Sequence, residues 1–334
     1  MPPKVSVVLP YQNAQATLDR AISSLVRQSF TDWELILVNH ASTDESQAIA
    51  RRWDQQDRRI RLVHEPRAGL VHALNTGLNR STASVIARMD ADDVSHRDRL
   101  ARQYDYLARF PATDVVSCCV RYCAEGTPQR GMQTYVDWTN GLLTKDEIHR
   151  NRFVESPLVH PSVMFRTHLI RQHGSYRQGL FPEDYELWLR WLHHQVSISK
   201  LPETLLDWYD SEARLSRTHE RYRPEAFYRI KTHYLARWLA QHNPFHPEVV
   251  VWGGGRKSRQ RMRLLENYGI RVRAVIDIVA NKTTSFPIIF YQDVAPPGQY
   301  FILSYVGNRG QRDKIRSFLR DRGYSEEDHF LLVA

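Results

Sequence analysis

The stretch that decides the fold reads Ser84-Val-Ile-Ala-Arg-Met-Asp-Ala-Asp-Asp93. Its apolar first half predicts a short buried strand, and three carboxylates follow that strand directly. Two earlier stretches, Val5–Leu9 and Leu35–Val38, are also strand-sized apolar runs that end in polar loops. A helix signal follows each of them, as at Ala14–Gln28. Strands that alternate with helices predict an α/β fold with a mostly parallel sheet and helices on both faces.

The alternation continues to about residue 120, and shorter patterns follow it. Strands are predicted at Ile60–Val63 and Val115–Val120, and helices at Gly69–Leu78, Arg97–Phe110, Thr144–Arg152 and Pro182–His193. Residues 121–180 are less regular, and residues 213–242 are polar and predicted to be helical. Ligands on open α/β sheets bind beyond the carboxyl ends of the strands, so the polar loops at those ends form the candidate site.

Asn243-Pro-Phe-His-Pro247 predicts a linker, because prolines and a turn-forming asparagine interrupt the regular patterns. A second alternation of strand and helix begins at Val249. We therefore expect two domains. The first covers residues 1–243 and ends in a helical part at about 213–243, and the second, residues 244–334, is a small Rossmann-like α/β domain.

A glycine-rich turn marks the start of the second pattern. Gly253 and Gly255 follow a strand and open a helix, and Asp277 ends the next strand. The order is close to a dinucleotide-binding fingerprint, although Ser258 replaces the third glycine. NAD binding, binding of a nucleotide sugar or phosphate at the helix that starts at Arg256, and a simple glycine turn all fit this pattern.

The composition is that of a globular protein, with 334 residues of which 42% are hydrophobic and 25% charged. No apolar run approaches the roughly 18 residues of a membrane span, and the N-terminus lacks a secretory pattern. Cys118, Cys119 and Cys123 lack zinc-finger spacing, which favours a reducing compartment. We expect a cytoplasmic protein, either free or peripheral at the inner membrane face. The net charge of +9 suits nucleic acid, anionic lipid, phosphorylated substrates or a solvated face.

The carboxylates of Asp90, Asp92 and Asp93 are costly to hold together without a cation, because like charges repel. Mg²⁺ or Mn²⁺ on a diphosphate needs only one or two carboxylates. The position at the end of a strand favours a metal site over a solvated turn. The polar loops Pro10–Asn13 and Asn39–Asp44, at neighbouring strand ends, suit a nucleotide base and ribose or, equally, turns with helix caps.

A second acidic pair, Glu183 and Asp184, stands at the start of a predicted helix. Free N–H groups and the helix dipole stabilise carboxylates there, which is a common structural role. The functional interpretation is a general base, which needs a carboxylate within hydrogen-bond reach of a substrate hydroxyl.

Five motifs in this order resemble those of family 2 glycosyltransferases. They read Val5-Ser-Val-Val-Leu-Pro-Tyr-Gln-Asn13, Glu34-Leu-Ile-Leu-Val-Asn-His-Ala-Ser-Thr-Asp44, Gly69-Leu-Val-His-Ala-Leu-Asn-Thr-Gly77, Ile86-Ala-Arg-Met-Asp-Ala-Asp-Asp93 and Pro182-Glu-Asp-Tyr-Glu-Leu-Trp-Leu-Arg190. The resemblance covers roughly residues 4–220. It implies a GT-A fold and an inverting sugar transfer from a nucleoside-diphosphate sugar, with a UDP-sugar favoured, to an acceptor hydroxyl.

The resemblance also implies roles for single residues. Asp90 and Asp92 would hold Mn²⁺ or Mg²⁺ on the diphosphate, with Asp92 the more direct ligand. Asp184 would act as general base, and Glu183 would position the acceptor or orient the base. The donor pocket would be formed by Pro10, Tyr11, Asn13, Asn39, Arg67, Asn75, Arg88 and Ala91 together with the two aspartates, and the acceptor side by His160 and Trp188. Trp188 fits either a core position or a wall on which a sugar stacks.

Two positions depart from the family pattern. Asn39 stands where the family usually has an aspartate that reads the uracil N–H. An asparagine carbonyl can still accept that hydrogen bond, but the departure weakens the inference of UDP. Ser211 stands where relatives often have a histidine, so no third metal ligand is assigned.

A narrower resemblance concerns the acceptor. The segments Tyr135–Asn140, Trp252–Arg259 and Asp328–Leu331 are similar to those of the queuosine-tRNA galactosyltransferases of animals. This similarity implies a modified tRNA nucleoside as acceptor, and the basic C-terminal region suits contacts to phosphates. A lipid-linked or surface glycan is the alternative acceptor.

Three other functions stay open at this point. An NAD-linked oxidoreductase would use the glycine turn of the second domain. A nucleotidyltransferase would use the same aspartate cluster. A non-catalytic RNA-binding protein would use the basic surface alone.

Overall fold

The computed structural model describes residues 2–211, 214–280, 285–308 and 310–334. The chain forms two compact units. The first consists of Met1–Ile148 with Pro157–His219, and the second of His149–Ser156 with Glu220–Ala334.

Thirteen strands lie in the described parts of the chain. They are β1 (Val5–Tyr11), β2 (Trp33–Asn39), β3 (Ile60–His64), β4 (Val85–Arg88), β5 (Val94–Ser95), β6 (Val115–Ala124), β7 (Met164–Arg166), β8 (Ile198–Asp210), β9 (Glu248–Trp252), β10 (Arg271–Asp277), β11 (Ile288–Phe290), β12 (Ile302–Ser304) and β13 (Phe330–Leu332).

Twelve α-helices are found in the same described ranges. They are α1 (Leu18–Val26), α2 (Ser46–Gln56), α3 (Leu70–Arg80), α4 (Arg99–Arg109), α5 (Arg130–Asn140), α6 (Lys145–Asn151), α7 (His168–His173), α8 (Glu183–His193), α9 (Leu215–Thr218), α10 (Pro224–His242), α11 (Arg256–Glu266) and α12 (Gln311–Asp321).

The first unit is built on an eight-stranded sheet in the order β3-β2-β1-β4-β7-β6-β8-β5. Parallel pairs join β3, β2, β1 and β4, whereas β7 is antiparallel to both of its neighbours. Every residue of β1 and β2 is buried. Such continuous apolar runs are typical of parallel strands that are covered on both faces. The predicted α/β fold with a mostly parallel sheet is therefore confirmed.

The register brings the candidate loops to one edge of this sheet. Tyr11 pairs with Asn39, and Asn39 pairs with His64, each at the carboxyl end of its strand. Arg88, the last residue of β4, pairs with Val8 of β1. The polar residues that follow β1, β2 and β4 therefore leave the sheet on the same side.

Helix α1 shows why the predicted helices form. Leu18, Ile22 and Leu25 are completely buried, and their spacing places them on one apolar face of the helix that the sequence predicted at Ala14–Gln28. Burying each of these side chains contributes about 1.5–3 kcal/mol. Val26 is partly buried and packs at the margin of the core.

The second unit contains a five-stranded parallel sheet in the order β11-β10-β9-β12-β13. This order reverses direction between β9 and β12, which is the topology of a doubly wound Rossmann-like sheet. The unit also contains the long helix α10. The sequence places the boundary between residues 243 and 244, whereas the division by packing assigns α10 to the second unit. Buried side chains of α10, such as Trp238 against Phe301, pack within that unit.

Residues 121–210 differ most from the sequence-based expectation. Helix α5 forms where the sequence shows turn residues, and β8 runs through Pro202. Proline interrupts a strand ladder because it lacks an N–H donor. The pairing of β6 with β8 shifts register at this place, from Cys118 opposite Leu201 to Cys119 opposite Thr204, so that Pro202 lies in a bulge. The three cysteines are free thiols.

Gly77 on α3 is required by the close approach of this helix to the sheet. A Cβ at this position would lie 2.4 Å from Val8 Cγ1 and 3.3 Å from Val38 Cγ2. A Cβ added at Gly131 of α5, in contrast, would meet no neighbouring heavy atom within 4 Å.

We therefore expect Gly77→Ala to lower the free energy of unfolding by about 1–3 kcal/mol, because the added methyl group overpacks the helix–sheet interface. Urea denaturation measures this loss. Gly131→Ala is the matched control, and it should leave stability unchanged or raise it by up to about 1 kcal/mol through helix propensity. Wild-type stability of Gly77→Ala would contradict the packing described here.

Candidate active site

The acidic cluster lies directly beyond the carboxyl end of β4. One carboxylate oxygen from each of Asp90, Asp92 and Asp93 can be chosen so that all three lie within 4.8 Å of one another. Asp93 is completely buried, and one of its oxygens accepts a hydrogen bond of 2.8 Å from the backbone N–H of Tyr209. Its other oxygen is buried without a hydrogen-bond partner among the described residues.

Two arginines face this cluster. The buried guanidinium of Arg88 forms an ion pair with one oxygen of Asp90, and Arg214 lies 3.7 Å from the other. Arg88 is itself held by its surroundings, because the buried Arg99 donates a hydrogen bond of 2.6 Å to the Arg88 carbonyl. Arg214 also stacks on the ring of Trp208 at 4.2 Å. The carboxyl group of Asp90 in this cluster is thus flanked by two arginine side chains.

The pKa values separate the three carboxyl groups. Burial opposes the ionisation of Asp90, but the positive charges of Arg88 and Arg214 outweigh burial and hold the Asp90 pKa below its usual value. Burial raises the pKa of Asp92, and burial together with the charge of Asp92 raises that of Asp93 well above its usual value. Two clustered carboxyl groups therefore remain short of positive charge. A hard divalent cation fits this set of oxygen donors.

Asp184 is a further carboxyl group of the candidate site. It lies in the first turn of α8, and its Oδ1 accepts a hydrogen bond of 2.7 Å from the N–H of Tyr185. Burial, then the charge of Glu183, raises the pKa of Asp184 to about 7, and the charge of Asp90 acts in the same direction. The group therefore changes protonation near neutral pH, as a general base in an enzyme does. Glu183 is buried beside it.

The loops after β1 and β2 are tied together by side-chain hydrogen bonds. Asn13, at a left-handed φ of 48°, accepts a hydrogen bond of 2.8 Å from the N–H of Thr43. Asn39 accepts one of 3.0 Å from the N–H of Ser42 and donates to Gln47, whose oxygen also accepts from the hydroxyl of Tyr11 at 3.0 Å. The Asn39 carbonyl oxygen that the sequence assigned to a base thus shapes its own loop. Pro10 and Tyr11 are both buried.

The second group of predicted donor residues has mixed surroundings. Arg67 is exposed and forms a two-pronged ion pair with the buried Glu65, at 2.8 and 3.0 Å. Asn75 instead pairs with the backbone of Tyr176, donating to its carbonyl at 2.9 Å and accepting from its N–H at 3.1 Å. Asn75 therefore braces the segment that leads to α8. Ala91 is partly buried between the aspartates.

The two residues predicted for the acceptor side are buried. His160 is hydrogen-bonded to the hydroxyl of Tyr176 at 2.7 Å, and its ring meets the edge of Trp188 at 6.0 Å. Burial, together with the charge of Arg88, lowers the pKa of His160 well below its usual value and so favours the neutral imidazole. Trp188 is 0% exposed and belongs to the core under α8. It is therefore not a surface against which an acceptor sugar can stack in this structure.

The sequence reasoning missed three residues of this site, Arg214, Arg99 and Tyr176. They emerge only from the fold, because α4, β8 and the segment before α8 bring distant residues to the end of β4. The burial of Asp93 is also visible only there. Ser211, the position at which the sequence assigned no third metal ligand, follows Asp210 at the end of β8. Asp210 forms an ion pair with Arg217.

The glycine turn of the second unit uses its acidic residue locally. One oxygen of Asp277 accepts a hydrogen bond of 2.9 Å from the N–H of Gly254, and the other accepts one of 3.1 Å from the N–H of Val279. Asp277 therefore connects the loop after β9 to the loop that follows its own strand, β10. In a dinucleotide fold this carboxylate would instead bind a ribose hydroxyl.

The family model described as "Glycosyl transferase family 2" matches residues 6–174, half of the chain. The chain belongs to this family. The match covers four of the five motifs on which the resemblance was based, and it ends shortly before α8. This glycosyltransferase therefore combines a family 2 domain with the second, Rossmann-like unit.

Its relatives include glycosyltransferases of bacterial polysaccharide synthesis. The amylovoran biosynthesis glycosyltransferase AmsE of Erwinia amylovora is 30% identical over 204 residues, which cover 60% of this chain and 74% of AmsE. The O-antigen biosynthesis glycosyltransferase WbnJ of Escherichia coli is 28% identical over 209 residues, 61% of this chain and 78% of WbnJ.

A solved structure shares the fold. Residues 1–349 of S. aureus TarS, in complex with UDP-GlcNAc, match with a TM-score of 0.57 and 16% identity over 79% of this chain and 71% of that chain. The GT-A fold implied by the sequence is thus confirmed. In the described ranges, no helix combines the length and apolar character that crossing a membrane requires.

The bracing role of Asn75 leads to a prediction. Asn75→Ala removes both hydrogen bonds to the Tyr176 backbone and should lower the free energy of unfolding by about 1–3 kcal/mol. Urea denaturation tests this loss, with Asn79→Ala on the exposed side of α3 as the matched control. Unchanged stability combined with weaker nucleotide binding would instead make Asn75 a donor contact.

Proposed function

We propose that this glycosyltransferase is an inverting, metal-dependent enzyme that transfers a sugar from a nucleoside-diphosphate sugar to an acceptor hydroxyl. The observation that carries the proposal is the pairing of two carboxyl sites. Asp90, Asp92 and Asp93 lie beyond β4, and Asp184 at the start of α8 is close enough for the charge of Asp90 to raise its pKa. The three aspartates suit a metal ion that binds a diphosphate. Asp184 suits the removal of a proton from a hydroxyl group.

The donor would occupy the loops at the carboxyl ends of β1 and β2. Asn13 and Asn39 fix these loops in the shape that a base and ribose would contact. A UDP-sugar is the favoured donor, since TarS, which shares the fold, is described in complex with UDP-GlcNAc. Arg67, which is largely exposed while it pairs with Glu65, is available at the rim for a phosphate or ribose.

Asp90 and Asp92 would hold Mn²⁺ or Mg²⁺, with Asp93 behind them. When bound, the metal would neutralise the charge of the diphosphate leaving group. The chain's own contribution is to keep these oxygens in place, because Arg88 anchors Asp90 and the Tyr209 N–H anchors Asp93.

Asp184 would take the proton of the acceptor hydroxyl as that hydroxyl attacks the anomeric carbon. The Tyr185 N–H binds one carboxylate oxygen, which leaves the other to accept the proton. The charge of the buried Glu183 helps to raise the pKa of Asp184 to about 7 and so makes it a stronger base than an ordinary aspartate. Glu183 would also help to position the acceptor.

The acceptor is proposed to be a glycan hydroxyl of a surface or lipid-linked polysaccharide, because AmsE and WbnJ are named for the synthesis of amylovoran and O-antigen. A modified nucleoside of tRNA, suggested by the narrower resemblance, is the second candidate. Radiolabelled nucleotide sugars, incubated with the enzyme and either lipid-linked glycans or queuosine-containing tRNA, test both. We expect label in the glycan fraction; label in tRNA alone would reverse the assignment.

Replacing Asp184 tests the assignment of the base. Asp184→Asn keeps the shape of the side chain but cannot accept the proton, so transfer should fall by about 10²–10⁴-fold. Binding of the nucleoside diphosphate, measured by calorimetry, should stay within error of wild type. Asp105→Asn, on the exposed side of α4, is the control for loss of one charge. Transfer by Asp184→Asn at the wild-type rate would refute the assignment.

The pH dependence follows from the same group. Because the base must be deprotonated, kcat/KM should rise with pH up to about 7 and then level off, with a loss of about tenfold per pH unit well below 7. The steady-state pH profile of the wild-type enzyme measures this. The inflection should be absent from the residual activity of Asp184→Asn. A profile that is flat between pH 5 and 8 would contradict the role of Asp184.

A further inference from the structure

The first unit contains a groove that is lined by side chains of α5, β6 and β8 and of the turn after β5. Its volume is about 440 Å³, which is in the range of small-molecule sites in proteins. Val120 and Val136, both buried, form an apolar part of the lining, and most of the remaining lining is polar. These groups are distinct from the acidic cluster and from Asp184.

The wall that α5 contributes to this groove is held to β6 by hydrogen bonds. Asn140 donates to the Val120 carbonyl at 2.8 Å and accepts from the Val120 N–H at 3.0 Å. Strand β7 pairs with β6 only at Val115 and Val116, so Asn140 replaces a strand partner at Val120. This wall of the groove is therefore fixed by contacts to the backbone.

The guanidinium of Arg121, in the lining of the groove, is paired. It donates from Nε and Nη2 to the two oxygens of Asp207, at 2.9 and 2.6 Å, and His96 Nε2 lies 2.9 Å from the same carboxyl group. Burial opposes the ionisation of Asp207, but the hydrogen bonds from Arg121 and His96 hold its pKa below its usual value. The carboxylate of Asp207 therefore compensates the charge of Arg121, and Asp137 adds a further acidic group to the lining.

Polar atoms of the lining remain outside these contacts. Nη1 of Arg121 and Nδ1 of His96 take no part in the contacts with Asp207. On α5, Gln133 donates from Nε2 to Oδ1 of Asp137 at 2.8 Å, a bond that uses neither the Gln133 carbonyl oxygen nor Oδ2 of Asp137. The groove thus offers hydrogen-bond donors and acceptors together.

This lining is complementary to a neutral sugar. Each sugar hydroxyl both donates and accepts hydrogen bonds, and the C–H face of a sugar ring is apolar. Such a ligand can use the polar atoms, the exposed hydroxyl of Thr204, the two buried valines and the ring of Tyr122. A phosphate group, in contrast, could use only the donors and would be repelled by Asp137.

The groove lies close to the acidic site of the same unit. His96 follows Asp93 by three residues, so their Cα atoms are at most about 11 Å apart. Tyr122 donates a hydrogen bond of 2.8 Å to Asp210 at the end of β8, and the N–H of the preceding Tyr209 binds Asp93. These distances are short enough for one saccharide chain to reach both the acidic site and the groove.

We propose that this groove binds a neutral sugar residue of the acceptor glycan, beyond the sugar that receives the transferred group, through Arg121, His96, Gln133, Asp137 and Thr204. The proposal rests on the proposed function, because it takes the acceptor to be a glycan. Contacts of this kind lie away from the reacting atoms. They hold the acceptor in the ground state and the transition state alike, and so determine which glycan is extended.

Calorimetry on the full chain, without metal or donor, tests the groove directly. The probes are four neutral disaccharides: lactose, maltose, cellobiose and N,N′-diacetylchitobiose. At least one of them should bind wild type saturably. Gln133→Ala combined with Asp137→Ala should weaken that binding by about tenfold, the loss expected for two hydrogen bonds. Gln56→Ala combined with Asp105→Ala, at exposed positions of α2 and α4, is the matched control and should bind as wild type does.

The transfer reaction gives a second readout. With a lipid-linked glycan as acceptor, the variant that lacks both Gln133 and Asp137 side chains should show an acceptor KM raised by about tenfold and a kcat close to wild type. Circular dichroism checks that the variants are folded. Disaccharide binding requires neither metal nor donor, so its outcome is independent of the Asp184→Asn test of the proposed function.

Four results would overturn the proposal. The first is the absence of saturable binding for all four disaccharides. The second is equal binding by wild type and by the variant that lacks the Gln133 and Asp137 side chains, or equal weakening in the control. The third is displacement of the disaccharide by inorganic phosphate, which would show an anion site. The fourth is a lower kcat with an unchanged acceptor KM.

Discussion

Repulsion between the carboxylates at the end of β4 is the constraint on which the catalytic unit depends. Three aspartates within four residues can stay together only if the surroundings supply positive charge. Arg88, at the end of β4, supplies a permanent positive charge. Arg99 holds Arg88 in place by donating a hydrogen bond to the Arg88 carbonyl. A divalent cation, as proposed above, would supply further positive charge. The fold holds the Asp90 carboxylate in place through these arginine contacts.

The remaining parts of the site are arranged around this cluster by backbone contacts. The parallel register of β1 and β2 places their two loops side by side. Asn13 binds the loop that follows β2, and Asn39 stabilises its own loop. Asn75 ties α3 to the segment before α8, and so helps to place Asp184 near the aspartates. A family 2 glycosyltransferase needs this fixed geometry, because its transfer reaction joins a donor and an acceptor that bind separately.

Much of this could be predicted from local patterns. The apolar runs of β1, β2 and β4 and their polar ends follow from spacing alone, and so do the acidic cluster and the helix that starts at Glu183. What failed was the part that depends on distant contacts. Strand β8 was not predicted, because Pro202 argues against a strand. The bulge that accommodates Pro202 depends on the pairing of β8 with β6. Arg214, which follows β8, was missed for the same reason. Trp188, for which the sequence left a core position and an acceptor wall open, is a core residue.

The most direct test of the account is a thermal-shift panel on the purified protein with UDP, GDP, CDP, dTDP and NAD, each with and without Mn²⁺. A ligand that binds only the folded state stabilises it by about 2.7 kcal/mol at a hundredfold excess over its dissociation constant. We predict a shift that requires Mn²⁺ together with one nucleoside diphosphate, with UDP favoured. A metal-independent shift with NAD alone, and none with any diphosphate, would contradict the central claim that the acidic edge of the first unit binds a metal-bound sugar nucleotide.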